Sequence, residues 1–231
     1  MLGAVLVDLS HPVRSGMPGY PGDPPVRVDP ALTVARDGVN LLRLHLGSQA
    51  GTHVDAPFHV RDDLLRLDEL PLERFVGPAV LVDARGLPPR AGIGPERLEP
   101  VRAELGPGAV VLVVTGWSRH WGTDAYLAHP WPTPAFAAAL VAAGVRTVGI
   151  DALSADLTPP PGQPLDGLPT HLVLATAGCV IAENLTRLEE LLDARRAGAD
   201  VAVSLLPLHL PGADGAPTRA VATITPTPTR P

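Results

Sequence analysis

A chain of 231 residues is long enough to bury one substantial core, and 45% hydrophobic with 18% charged residues is the balance of a globular protein. The net charge of −6, with no basic cluster, argues against nucleic acid or an anionic membrane as partner and leaves small molecules. One cysteine, Cys179, excludes an internal disulfide and a cysteine-built zinc site, and its apolar surroundings make it a packed thiol.

No linker-like stretch divides the sequence, so residues 1–225 read as one domain and the Thr/Pro-rich tail 226–231 as frayed. Met1 to Asp8 is apolar but has no basic leader and meets an acid too soon for a signal peptide, so it reads as a strand. The other long apolar run, Ala135 to Val145, is well short of the ~20 residues a membrane span needs, and the expected location is cytoplasmic. Met17 to Pro25 is too rich in Pro and Gly for regular structure; it is a stiff surface loop whose one large side chain, Tyr20, either walls a pocket or covers the edge of the core. Val26 to Val34 and Asn40 to Leu46 follow as strands, with Leu42, Leu44 and Leu46 on the face opposite Arg43 and His45.

Next comes the stretch Leu46-Gly-Ser-Gln-Ala-Gly-Thr-His-Val-Asp-Ala-Pro-Phe-His59, which sets His53, Asp55 and His59 within seven residues. In an extended chain residues two apart share a face, so His53 and Asp55 present an imidazole and a carboxylate to one ion. Pro57 ends the strand and leaves His59 to fold back as an acid or base beside a metal-activated water.

Asp62 to Leu70 reads as a short amphipathic turn or helix. Pro78 to Asp83, Ala109 to Thr115 and Val145 to Asp151 are short β-branched runs, the pattern of strands buried on both faces. Helices open at Pro95 and Pro134 and stop at Gly106 and Gly144. Strands alternating with helices make an α/β layered domain.

Between Thr115 and His129 the aromatic residues crowd together, and Trp117 and Trp121 are candidates for a pocket wall at a strand's C-terminal end, the alternative being a satellite core. Pro169 to Gly178 is a short helix carrying His171; Cys179 to Leu185 is a buried strand carrying Glu183; Leu188 to Ala194 is another helix. A carboxylate directly after Val180-Ile181-Ala182 is costly to bury unless paired or bound to a cation, so Glu183 and His171 join the candidates for one metal site. Asp200 to Pro207 and Arg219 to Ile224 are the final strands. No G-x-S-x-G elbow occurs, which removes the common serine-hydrolase reading.

Gln49-Ala-Gly51-Thr52-His53-Val-Asp55-Ala-Pro57-Phe-His59 resembles the signature H-x-G-T-H-x-D-x-P-x-H of the cyclase-family metal hydrolases, the group that includes bacterial kynurenine formamidase and isatin hydrolase. Asp8-Leu-Ser-His-Pro, the Tyr20-Pro-Gly-Asp-Pro loop, Thr115-Gly-Trp, Gly149 to Asp156, His171 with Glu183-Asn-Leu, and Gly215 to Ala222 extend the likeness over nearly the whole chain. The resemblance implies a swivelling β/β/α domain, α/β in class, assembling as a homodimer or homotetramer. It implies His53 and Asp55 as ligands, Asp55 bridging to a second ion held by His171 and Glu183, His59 as catalytic acid/base, and Tyr20 against the substrate.

The activity so implied is metal-dependent hydrolysis of the C–N bond of a small amide, an aryl formamide or a cyclic amide. Alternatives are a lactone hydrolase, a biosynthetic cyclase or dehydratase, and a weakened homologue that only binds. The sequence departs from the signature at Gln49, where the family has a histidine. An amide oxygen is a poor zinc donor and an acceptable one for harder ions, which widens the expected cofactor to manganese or zinc, one or two ions. Gln49 is then a weak ligand, or the first site is vacant, or the site is a relic.

Overall fold

Residues 3–160, 162–163 and 167–227 are described by the computed structural model; the end of the Thr/Pro tail, 228–231, lies outside them. The first half contains β1 (Val5–Asp8), β2 (Arg27–Leu32), the single turn α1 (Val34–Asp37), β3 (Leu41–His45), β4 (His53–Asp55), β5 (Val76–Asp83), β6 (Gly92–Ile93) and β7 (Val110–Val114). The second half adds β8 (Trp131–Pro132), α2 (Pro134–Ala142), β9 (Thr147–Ile150), α3 (Pro169–Thr176), β10 (Val180–Glu183), α4 (Leu188–Arg196), β11 (Asp200–Ser204), β12 (Gly215–Pro217) and β13 (Val221–Thr225).

Nine strands form one mixed sheet in the order β1-β13-β11-β5-β7-β9-β10-β4-β12. The central four, β5, β7, β9 and β10, run parallel, and antiparallel strands extend the sheet on both sides. The α/β class expected from the alternation is the one observed.

Side-chain alternation along the central strands sorts residues into two cores. Val110, Leu112 and Val114 face Leu81, Ala182 and the α4 leucines Leu188, Leu191 and Leu192. Val111 and Val113 face the other way, with Val82, Val148, Ile150 and Ile181, under Phe136 and Leu140 of α2 and Leu174 of α3. Burying one such side chain stabilises by roughly 1.5–3 kcal/mol, so each central strand contributes to both layers at once. Helix α2 begins where the sequence implies: the Thr133 hydroxyl accepts from the Phe136 N–H, Pro134 fills the first turn, and Gly144 at φ +87° follows the end.

One local reading changes. The expected helix from Pro95 is a run of 3₁₀ turns, Pro95–Glu104, because Pro100 lies inside it, lacks an N–H and clashes with the preceding turn of an α-helix. In the 62–70 segment only Leu67–Glu69 makes a 3₁₀ turn. The β2–β3 ribbon pairs with itself and stands away from the sheet, so Leu41, Leu42 and Leu44 are all exposed, as is Arg43. No helix among the described residues is long and apolar enough to cross a membrane.

Candidate active site

Strand β10 ends at Glu183 with β4 paired antiparallel beside it, and the register sets Glu183 opposite His53 and Ile181 opposite Asp55. The pleat therefore puts Glu183, His53 and Asp55 on one face, while Val54 and Ala182 between them join the core on the other. Ligand atoms of His53, Asp55 and Glu183 lie within 4.8 Å of one another, and all three residues are buried. His171, in the first turn of α3, brings its Nε2 to 3.2 Å from Glu183 Oε1 and 3.6 Å from Asp55 Oδ2. His53 Nε2 is 3.4 Å from Asp55 Oδ1 and 3.6 Å from Glu183 Oε2.

Both imidazoles are held by their other nitrogen. His53 Nδ1–H donates to the Gly51 carbonyl at 2.8 Å, and His171 Nδ1–H donates to Asp156 Oδ2 at 2.7 Å. Each ring thus turns Nε2 toward the carboxylates, the orientation a metal-binding histidine needs. Asn184, at φ +55°, ties the arrangement together: its Nδ2 donates to Gly51 O, its carbonyl accepts from Thr52 Oγ1, and its Oδ1 accepts from the Tyr126 hydroxyl.

These residues fit a divalent cation. Both Asp55 oxygens are buried with no hydrogen-bond partner among the described residues, an arrangement costly for a carboxylate unless a cation neutralises it. Burial opposes charge on His53, yet the carboxylates of Asp55 and Glu183 push its pKa up to about 9. The same competition, with Asp156 added, raises His171 well above its ordinary value. Asp55 is lowered, burial being outweighed by His53 and His171. A bound cation would take the place of the protons this cluster attracts.

The cluster opens into a cavity of about 250 Å³ lined by Tyr20, Asp23, Gln49, His53, His59, His171 and Glu183 among others. Pro57 starts a 3₁₀ turn that ends at His59 and brings its ring centroid to 6.0 Å from that of His171. Tyr20 lines the cavity, with its hydroxyl buried and unpartnered among the described residues. Trp117 and Trp121, expected as pocket walls, do not line it: Trp117 is buried with Nε1 on the Ala125 carbonyl, and Trp121 stacks on His11 at 3.9 Å between ring centroids. Trp117 belongs to the core under α2 and α3, and Trp121 packs against that core and against the small cluster of Met17, Val26 and Ala50.

Gln49 lines the cavity, but its amide nitrogen donates to Asp214 Oδ2 at 2.8 Å and lies 3.1 Å from His59 Nδ1. Asp23, Asp156, Asn184 and Asp214 complete the site without having been singled out by sequence. Asp23, Asp156 and Asn184 lie in the stretches that carry the family likeness, whereas Asp214 lies just outside them.

Comparison with known proteins accords with this geometry. The sequence profile of the Cyclase family matches residues 7–157. A kynurenine formamidase of Bacillus mycoides is 32% identical over 218 residues, 93% of this chain and 95% of that one. An isatin hydrolase solved with the product analogue thioisatinate superposes with a TM-score of 0.84 at 21% identity, over 96% of this chain and 93% of that one. A structure described as a potential metal-dependent hydrolase with cyclase activity gives 0.76 at 25% identity, over 97% of this chain and all of its own. The profile match and the full-length likeness together establish that the chain belongs to the Cyclase family.

Proposed function

We propose that this protein is a metal-dependent hydrolase of the C–N bond in a small amide, an aryl formamide or a cyclic amide. The observation that carries the reading is the pair of unpartnered Asp55 oxygens facing two imidazole Nε2 atoms and Glu183, beside a cavity that His59 also lines. Relatives named kynurenine formamidase and isatin hydrolase support the substrate class.

His53, Asp55, His171 and Glu183 would hold the ion, manganese or zinc, as one or two ions. When bound, the cation supplies Lewis-acid polarisation of a carbonyl and lowers the pKa of a coordinated water toward ~7. The rest falls to the chain's own groups. With Nδ1 hydrogen-bonded to Asp214, His59 keeps Nε2 free to take a proton from the attacking water and return it to the departing nitrogen. The water oxygen joins the carbonyl carbon, the C–N bond breaks, and a carboxylic acid and an amine result; for a cyclic amide both stay in one molecule. Tyr20, aromatic on a stiff loop, would lie against the substrate ring.

A homodimer or homotetramer belongs to the same proposal. The exposed leucines of a two-stranded ribbon, an element marginal by itself in water, support it.

A second reading, a homologue that binds a small molecule or metal without turnover, draws on Gln49, which offers no imidazole and is engaged by Asp214. Assaying aryl formamides, cyclic amides and lactones with added Mn²⁺ or Zn²⁺ separates the two. Turnover of formamides or cyclic amides supports the hydrolase; turnover of lactones alone shifts the chemistry to an ester bond; tight binding with no turnover favours the second reading.

A further inference from the structure

We infer that Asp214, clamped by Gln49, is the positioning carboxylate of His59, and that Gln49 serves this pair instead of ligating a cation. The inference rests on the proposed role of His59 and deepens it.

Asp214 comes from the far end of the chain, 155 residues after His59, and the sheet fixes where it lands. Strand β12 starts at the next residue and pairs with β4, Gly215 opposite Asp55. The Ala56 N–H donates to the Asp214 carbonyl at 2.8 Å, which extends that ladder by one bond to the point where the chain turns into Pro57–His59. The backbone of Asp214 is thus bound to the segment that carries the base, so its side chain does not depend on a mobile loop for its place.

One oxygen does the work. Asp214 Oδ2 accepts from His59 Nδ1–H at 3.2 Å and from the Gln49 amide at 2.8 Å. The 3.1 Å between Gln49 Nε2 and His59 Nδ1 is the approach of two donors that share this acceptor. With Nδ1 protonated and directed at a carboxylate, the neutral ring has a single basic nitrogen, Nε2, which is the tautomer proton abstraction requires. The His59 hydrogen bond, opposed by partial burial and aided by Gln49, holds the Asp214 carboxyl down at about 2, so it stays an acceptor across the working range.

Space for Gln49 in this role exists because residue 215 is glycine. A Cβ there would stand 2.6 Å from Gln49 Nε2 and 2.6 Å from the Val54 carbonyl. The amide lies in the gap, its nitrogen spent on Asp214 and its oxygen buried with no partner among the described residues. An imidazole at 49 would have offered a metal a nitrogen; the amide here offers the carboxylate a second donor and restricts its rotation.

The test compares zinc-loaded wild type with Asp214→Asn, Asp214→Glu and Gln49→Ala, using N-formylaniline as substrate, metal analysis, and ¹⁵N NMR of the His59 ring assigned by its loss in His59→Ala. Asp214→Asn should lower kcat roughly 10-fold or more with KM within about threefold and metal content unchanged, because an amide no longer fixes the Nδ1–H tautomer of the base. Asp214→Glu should recover part of the loss, and Gln49→Ala should show a smaller fall in kcat at full metal content. In the spectra, His59 should be protonated at Nδ1 in wild type and lose that preference in Asp214→Asn. A kcat within twofold of wild type in Asp214→Asn, an unchanged tautomer, or loss of metal in Gln49→Ala overturns the inference. Should Asp214→Asn fail to fold, Gln49→Ala and the wild-type tautomer decide. If wild type hydrolyses no amide the parent reading fails, and the tautomer comparison still settles this one.

Discussion

Asp156 and His171 are joined twice: one carboxylate oxygen, Asp156 Oδ2, accepts both the ring Nδ1–H at 2.7 Å and the backbone N–H at 2.9 Å of the same histidine. The other oxygen accepts the Thr170 N–H at 2.9 Å, so Asp156 also caps a helix whose own cap position, Leu168, has no acceptor side chain. Removing this charge should loosen the ring before it unfolds the protein. Asp156→Asn is expected to weaken metal affinity roughly 10- to 100-fold, measured by competition with a chromophoric chelator. Unchanged affinity would show that His171 is oriented by its helix alone.

The carboxylates of Asp55 and Glu183 converge only in the folded chain, so a cation bound there binds the native state in preference to the unfolded one and should stabilise the fold. At a free ion concentration 100 times Kd the gain is about 2.7 kcal/mol, which for a chain of this size is roughly 5–10 °C in Tm. Calorimetry of chelator-treated protein with and without added Mn²⁺ or Zn²⁺ measures it. Asp55→Asn should abolish the shift, and a wild-type Tm indifferent to both ions would argue that the cluster holds none.

His59 is hydrogen-bonded to Asp214, not to the carboxylates of the cluster. His59→Ala should therefore cut turnover by about 10²- to 10⁴-fold, the worth of a positioned acid/base, at undiminished metal content. Loss of metal from this variant, read by elemental analysis, would make His59 a ligand.

Asp151 supplies one pH-dependent contribution to stability. It is fully buried at the exit of β9, and burial outweighs the hydrogen bonds from Thr115 and Gly116, pushing its pKa from 3.8 up to about 6. A raised acid binds its proton more readily folded than unfolded. The contribution is complete below about pH 4 and is lost as pH rises through 6, a change of up to about 3 kcal/mol. Asp151→Asn keeps one acceptor oxygen, as the protonated acid does, so its stability should lie close to that of wild type below about pH 4. It should also have lost this fall between pH 4 and 6 in denaturant titrations. A slope identical to that of wild type would place the titration elsewhere.

What the sequence determined by itself is what depends on near neighbours. Alternation put His53 and Asp55 on one face, β-branched runs marked the strands buried on both sides, and Pro134 with Gly144 bounded α2, because pleat, branching and backbone restriction act over a few residues. Even Pro100, which keeps the 95–104 segment from forming an α-helix, is visible in the sequence.

Only tertiary structure decided the partners. Glu183 meets His53 because β10 and β4 pair in one register, and a shift by one residue would have turned the carboxylate into the opposite core. Trp117 and Trp121 look like a pocket wall in one dimension; in three they are spent on Ala125 and His11. Gln49 reads locally as a ligand gone missing, yet its neighbours are His59 from the next turn and Asp214 from the last part of the chain. Side-chain chemistry can be listed from a sequence, but which donor faces which acceptor is set by strand register and loop closure, and those are properties of the whole sheet.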